Sequence, residues 1–375
     1  MKKVLFTATV DSHILLFHLP YLKYFKENGY EVHVATNGEE EIPYCDKKIK
    51  ISFERSPFKL NNIRAIGQLK KIINEQNYDI IHTHTPMGSV VTRIAARKAR
   101  KNGTKVIYTA HGFHFFNGAP KLNWLLFYPV EKYLSKYTDV LITMNQEDYE
   151  LAKNKFKTNV KFVHGVGLDK QKFDSELSDD EKKKLRESLG LKENDFIIIY
   201  PAELSKRKNQ EWLINTMESV LLKNHNMHIL LPGKDSMNEF HKKLVTEKKL
   251  DKQIHFLGFR NDIPKLISIS NVAISTSRQE GLPVNIMEAM YLGLPIVATD
   301  CRGNRDLVKN GKNGFVVAQG DSVNFKKSII NIYENKVDIK SLKKNSQNEI
   351  KQYMLNKVIK EMGEIYESVA SSSKQ

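Results

Sequence analysis

Cysteine is scarce, with Cys45 and Cys301 the two occurrences in 375 residues. They lie far apart and form no CxxC pair, which excludes a disulfide framework and a thiolate metal site and fits a reducing compartment. Long apolar runs are also missing. The nearest, Trp124-Leu125-Leu126-Phe127-Tyr128, falls well short of the roughly 20 residues of a membrane-spanning helix. Met1-Lys2-Lys3 leads directly into Val4–Thr9, without the apolar stretch and small-residue cleavage site of a secretory leader, and the segment reads as a first strand. A cytoplasmic protein is the expectation. Acid is in short supply relative to base: 59 Lys and Arg against 43 Asp and Glu give a formal net charge of +16. Such an excess points to an anionic partner, whether a phosphorylated ligand, nucleic acid or lipid head groups. Nucleic acid is not expected, because the basic residues are not interleaved with aromatics in a recognisable binding module. Runs such as Lys182-Lys183-Lys184 sit among polar residues and read as solvated helix faces.

What is present is an alternation of short β-branched runs and helical-period segments. Val4–Thr9, Val32–Thr36, Ile80–Thr83, Val106–Thr109, Val140–Thr143 and Lys161–Val163 are strand candidates, and Ile63, Ile66, Leu69 and Ile73 recur at helical spacing between two of them. A second series follows at Phe196–Pro201, His228–Pro232, Ile254–Leu257, Val272–Ser275, Ile296–Thr299 and Phe315–Val317. Strands separated by helices imply βαβ units and a parallel, doubly wound sheet. The predicted class is therefore α/β, two Rossmann-like doubly wound domains facing one cleft. The expected division is residues 1–168 for the first domain, 169–194 for a linker marked by Gly165-Val166-Gly167 and the charged 174–181 stretch, and 195–350 for the second. Residues 351–375 are read as a C-terminal helix ending in a disordered Ser371-Ser372-Ser373.

The most informative stretch follows the Val272–Ser275 strand: Arg278-Gln279-Glu280-Gly281-Leu282-Pro283, then Glu288. Pro283 suits the first position of a helix, so Gly281 and Leu282 would offer free backbone N–H groups to a phosphate at the helix start. Glu280 would stand just outside that helix. Glu288, about a turn and a half inside, could accept hydrogen bonds from sugar or ribose hydroxyls. The plainer reading of the spacing alone is a helix cap and a surface carboxylate.

The longer run Glu280-Gly281-Leu282-Pro283, Glu288-Ala289-Met290, Gly293-Leu294-Pro295-Ile296-Val297-Ala298-Thr299 and Asn313-Gly314-Phe315 resembles the donor domain of family 4 retaining glycosyltransferases, which have the GT-B fold. The resemblance continues through Thr109-Ala110-His111-Gly112-Phe113-His114-Phe115 and Ala8-Thr9-Val10-Asp11-Ser12-His13. It spans nearly the whole chain, and its N-terminal details are similar to EpsD-type enzymes of Gram-positive exopolysaccharide clusters. It implies that Glu280 holds the donor sugar, that Glu288 binds the nucleotide ribose, and that Gly281 and Leu282 are backbone donors to phosphate and sugar. His111 matches the histidine near the reacting sugar. Lys208 matches the family lysine at the diphosphate. The family arginine is replaced by Glu203, which leaves Arg207 or Lys206 as the second cation.

Further contacts to the acceptor are expected from Asp11, His13, His84 and His114, at strand ends of the first domain. His82 and His84 share one strand face and resemble a metal pair. No third ligand is spaced to join them and no DxD motif occurs, so no metal and no other cofactor is expected. The resemblance implies transfer from a UDP-sugar to a polyprenyl-diphosphate-linked saccharide in exopolysaccharide or capsule biosynthesis. The rival on the same architecture is a nucleotide-sugar epimerase. Last, Arg93, Arg97, Arg100 and Lys101 fall on one face of a predicted helix over 92–101, which could dock on an anionic membrane surface and hold the enzyme peripherally at the inner face of the plasma membrane.

Overall fold

The computed structural model describes residues 1–173 and 177–371. Its strands sort into two sheets, one in each of two compact units, Met1–Gly167 with Asn356–Gln375 and Leu168–Leu355. The first unit holds β1 (Lys3–Thr7), β2 (Glu31–Thr36), β3 (Lys47–Lys50), β4 (Ile80–Thr83), β5 (Lys105–Ala110), β6 (Val140–Thr143) and β7 (Asn159–Phe162). Their order is β3-β2-β1-β4-β5-β6-β7, and every neighbouring pair is parallel. The second unit holds β8 (Phe196–Ile199), β9 (Met227–Pro232), β10 (Ile254–Gly258), β11 (Val272–Ser275), β12 (Ile296–Thr299) and β13 (Gly314–Val317). These follow the order β10-β9-β8-β11-β12-β13, again all parallel.

Parallel strands covered by helices on both sides need apolar residues on both faces. In β1, Val4 and Phe6 pack on one side with Val32, Val34 and Ile80, while Leu5 packs on the other with Ala35, Ile81 and Val106. Each fully buried aliphatic or aromatic side chain contributes about 1.5–3 kcal/mol, so these runs fix the register of the sheet.

The strand orders also place the ligand sites. In each sheet the chain runs outward on one side and then returns to the other side of its first strand, at the β1/β4 and β8/β11 junctions. The carboxyl ends of strands at such a reversal form a crevice. In the first unit the segments that follow β1, β4 and β5 carry His13, His84 and His111; in the second, those that follow β8 and β11 carry Lys208 and Glu280.

Three observations modify the reading from sequence. Residues 169–194, taken as a linker, contain a short turn of helix at Lys170–Phe173 and a helix at Asp179–Ser188, and Leu168, Phe173 and Leu191 belong to the core of the second unit. The C-terminal helix Leu355–Ser371 inserts Val358, Met362, Tyr366 and Val369 into the core of the first unit; the Ser372 and Ser373 tail lies outside the described residues. The basic docking face over 92–101 does not form. The helix Pro86–Ala95 ends at Ala96 before a separate short helix, Arg97–Lys101. Arg93 is buried, ion-paired with Glu131 at 2.8 Å and stacked on Tyr108. Arg100 pairs with Asp139 at 2.9 Å, and Arg97 lies over the Tyr137 ring. Helical spacing reveals that charges share a face, but not that partners 38 residues away neutralise them.

Candidate active site

In the second unit the chain leaves β11 at Ser275 and turns through residues 276–283 before the helix Val284–Tyr291. Pro283 is the residue before that helix (φ −79°, ψ 114°), one place earlier than the sequence suggested, and its ring pre-sets the chain direction. The turn is braced from the β12 side. Arg302 Nε donates to the Glu280 carbonyl at 2.9 Å, and Thr299 Oγ1 donates to the Ser277 carbonyl at 2.8 Å. Gly303, at φ 79°, lies so close that a Cβ there would sit 2.5 Å from the Gly281 carbonyl oxygen, so a larger residue would displace the backbone that Gly281 and Leu282 present.

Glu280 is buried, and three groups hold its carboxylate. Lys208 Nζ reaches Oε1 at 2.5 Å, Ser277 Oγ donates to the same oxygen at 2.6 Å, and Arg207 Nη1 reaches Oε2 at 3.2 Å. Lys208 is itself positioned by its main chain, because its carbonyl accepts from Thr276 Oγ1 and lies 3.0 Å from the Tyr200 hydroxyl. Two cations and a carboxylate are thus gathered at one strand-end crevice from segments 72 residues apart. Of the two candidates for the second cation, both exposed, Arg207 is the one that reaches Glu280. Glu203, which stands at the family arginine, is engaged by the Ser236 hydroxyl.

Glu288 differs from Glu280. Among the described residues its carboxylate makes no hydrogen bond or ion pair, and burial pushes it up to about 7, against the opposing charge of Lys172. An unpartnered, partly buried carboxylate costs the folded chain free energy unless a ligand supplies donors.

In the first unit, four imidazoles converge. His13 lies on the helix Asp11–Phe17, His18 directly after it, His84 after β4 and His111 after β5. His13 Nε2 is 3.2 Å from His111 Nε2, and His18 stacks on His84 with ring centroids 3.7 Å apart. Burial pushes His13 down to about 4, aided by Arg55, and holds His18, His84 and His111 well below the ordinary histidine range. All four are neutral at physiological pH. His82, expected to pair with His84, serves the core instead: its Nε2 meets Thr109 Oγ1 at 2.8 Å and its Nδ1 meets the Tyr366 hydroxyl at 2.9 Å.

Asp11, an expected acceptor contact, has its carboxylate taken up within the fold. Burial would raise it, but bonds from Lys48, Thr36 and the Glu40 N–H prevail and hold it low. It ties down the loop after β2. His114 packs its ring 4.8 Å from Phe127 and lines a cavity of about 730 Å³ with His13, Gly112, Leu16, Phe17, Met87 and Phe115. The cavity walls are mainly apolar and aromatic.

Sequence reasoning missed His18, Ser277, Tyr200 and Arg302. His18 had a signal, a second histidine five residues after His13, but that spacing matches no ligand motif. Ser277 and Arg302 support Glu280 through contacts that only the folded turn creates.

A profile described as "Glycosyl transferases group 1" matches residues 181–352, and one described as "Glycosyl transferase 4-like" matches residues 3–145. Across 367 residues the chain is 43% identical to the EpsD protein of Bacillus subtilis (strain 168), which carries the name of a glycosyltransferase, covering 97% of this chain and 96% of that one. The chain belongs to the group 1 glycosyltransferases. A second relative is the UDP-Gal:alpha-D-GlcNAc-diphosphoundecaprenol alpha-1,3-galactosyltransferase of Escherichia coli, 29% identical over 82% of this chain and 80% of that one. The fold is that of Anabaena HepE, solved with UDP and glucose, at a TM-score of 0.79 and 21% identity over 98% of this chain and all of that one. In this group 1 glycosyltransferase, Lys208, Glu280 and Glu288 fall in the group 1 match and His111 in the 4-like match. The epimerase reading finds no support in these relatives.

Proposed function

We propose that this glycosyltransferase moves a sugar, with retention of configuration, from a UDP-sugar held by the second unit to a lipid-linked saccharide bound by the first. The observation that carries the donor half is the Glu280 carboxylate gripped by Lys208 and Arg207, eight residues before the unpartnered Glu288. In this reading Glu288 receives the ribose hydroxyls and Glu280 the donor sugar. When a diphosphate enters, Lys208 and Arg207 turn part of their charge to it, together with the backbone N–H groups of Gly281 and Leu282. Negative charge grows on the leaving diphosphate as the sugar becomes oxocarbenium-like, so cations already fixed there lower the barrier without reorganisation. These cations make a divalent ion at the diphosphate unnecessary. The leaving phosphate oxygen is suited to take the acceptor hydroxyl proton on the face it departs from, with neutral His111 orienting that hydroxyl.

The acceptor half rests on the cavity and its surroundings. Leu126 and Val130 of the helix Lys121–Leu134 line it, and Leu122, Leu125, Leu126, Val130 and Tyr133 are exposed at helical spacing on that same element. Leu16 and Phe58 extend the exposed apolar surface at the cavity rim. An apolar face of this kind suits an enzyme that sits peripherally on the inner leaflet and takes an undecaprenyl-type lipid acceptor, in line with the acceptor in the name of the Escherichia coli relative. No described helix is long and apolar enough to cross a membrane. Exopolysaccharide or capsule assembly is the process such a reaction serves. Incubation with a panel of UDP-sugars and a polyprenyl-diphosphate saccharide, followed by mass spectrometry, tests the proposal. A lipid-linked product one sugar longer supports it; donor consumption with no acceptor-dependent product overturns it.

A further inference from the structure

The acceptor assignment uses His111 but leaves the cluster of histidines around it without a role. Ligand atoms of His13, His18, His84 and His111 all lie within 4.8 Å of one another. Among the described residues, both ring nitrogens of His18 and both of His84 are buried without any hydrogen-bond partner. Each orphaned nitrogen costs the fold about 1–3 kcal/mol, and the two rings that carry them stack at the centre of the cluster. An apolar stack would serve packing better with phenyl rings. Four imidazoles brought together from three segments at the β1/β4 switch point instead form a donor set.

We propose that His13, His18, His84 and His111 form a binding site for one divalent transition-metal ion of the zinc class. Imidazole nitrogen suits zinc, copper, iron and nickel, whereas magnesium, calcium and manganese prefer oxygen, and among the described residues no carboxylate joins the cluster. A tetrahedral zinc with nitrogen ligands at 2.0–2.1 Å has its donors about 3.3 Å apart. The His13 and His111 Nε2 atoms, at 3.2 Å, match one such edge, and the ligand atoms of His18 and His84 lie within 4.8 Å of the others, so those two rings must turn to close the remaining edges. His18 and His84 are buried, while His13 and His111 are partly exposed, which gives the ion an entry path from the cavity side. The ion would tie the helix after β1 to the ends of β4 and β5 and so fix the orientation of His111. The site lies within the first unit and is independent of the donor reading.

Metal uptake by the full-length chain tests the proposal without reference to transferase activity. EDTA-treated, dialysed protein is titrated with Co2+ and with Zn2+, and compared with His84→Phe, His18→Phe and the exposed-site control His225→Gln. One Co2+ per chain with the visible bands of a four-coordinate ion is expected, together with a rise in Tm on adding Zn2+. Both signals should disappear in the two Phe variants and persist in His225→Gln. Loss of affinity should exceed the roughly 100-fold that removal of an outer-sphere partner causes. Circular dichroism reports whether the Phe variants fold; should either fail, His13→Gln and His111→Gln at the exposed side take its place. No four-coordinate cobalt spectrum in the wild type, or a Zn2+ shift unchanged in the variants, overturns the site. So does a Phe variant that equals or exceeds the stability of the Zn2+-saturated wild type, since the cluster would then be packing alone.

Discussion

Glu288→Gln separates the cost of an unpartnered carboxylate from its use. In the unfolded chain this group titrates near 4.5, and burial raises it to about 7 in the folded state. The folded chain therefore holds the proton more tightly. Its stabilising contribution is complete below about pH 4.5 and is lost as pH rises through about 7, so at pH 8 the ionised carboxylate costs about 3 kcal/mol. Glutamine has nearly the same shape and no charge. The variant should match wild type near pH 4.5 and exceed its stability by up to about 3 kcal/mol at pH 8. Urea unfolding measures this with Trp212 as the reporter for the second unit, in a Trp124→Phe background that silences the other tryptophan. Ligand binding should move the opposite way. Ribose hydroxyls donating to an ionised carboxylate form charge-assisted bonds worth about 1.5–3 kcal/mol each, so UDP affinity in the wild type should rise with pH through about 7 as binding releases a proton. Calorimetry in buffers of different ionisation enthalpy detects that proton. In Glu288→Gln the affinity should fall about 10-fold or more and lose its pH dependence. A variant no more stable than wild type at pH 8, or one that binds UDP equally well, would refute the reasoning.

Glu280→Ala should abolish transfer while leaving UDP affinity close to wild type by calorimetry, because its assigned ligand is the donor sugar; a large loss of UDP affinity would reverse the two carboxylate roles. Lys208→Ala should lower kcat by roughly 100-fold or more, as expected for charge aimed at a developing oxyanion, and adding magnesium or manganese to EDTA-treated enzyme should not change turnover. Arg93→Gln strands Glu131 in the interior, so it should destabilise the first unit by about 3–5 kcal/mol in chemical unfolding. Replacing Leu122 and Leu125 with Asp should weaken co-sedimentation with anionic lipid vesicles and leave UDP binding unchanged.

The parts of this protein legible in its sequence are those encoded by contiguous residues. Val4 to Phe6, Ile197 to Ile199 and Ile296 to Ala298 are buried on both faces of parallel sheets, so their apolar runs identify strands directly. The Glu280 to Glu288 spacing is likewise local, and the turn and helix between them follow from one stretch of chain. What could not be read depends on segments that meet only after folding. The Lys208 to Glu280 contact spans 72 residues, the His13 to His111 contact 98 and the Tyr366 to His82 contact 284. The basic helix failed for the same reason, since Glu131 and Asp139, which neutralise Arg93 and Arg100, belong to other elements.

The two units also reverse the usual attribution of a titration near neutral pH. An unperturbed histidine titrates near 6.5, about two units above a glutamate, so an acidic limb in the pH dependence of an enzyme with a histidine beside its reacting groups is habitually given to that histidine. Here burial among other imidazoles drives His13 down to about 4 and His111 well below its ordinary value, while burial without a partner lifts Glu288 to about 7. His111 is consequently held uncharged near neutral pH, which is what its proposed role as a neutral hydrogen-bonding group for a hydroxyl requires. Glu288 becomes the group that responds to neutral pH. Donor binding should therefore strengthen as pH rises through about 7, when that carboxylate ionises, and a limb at this position that survives in Glu288→Gln would have to be assigned elsewhere.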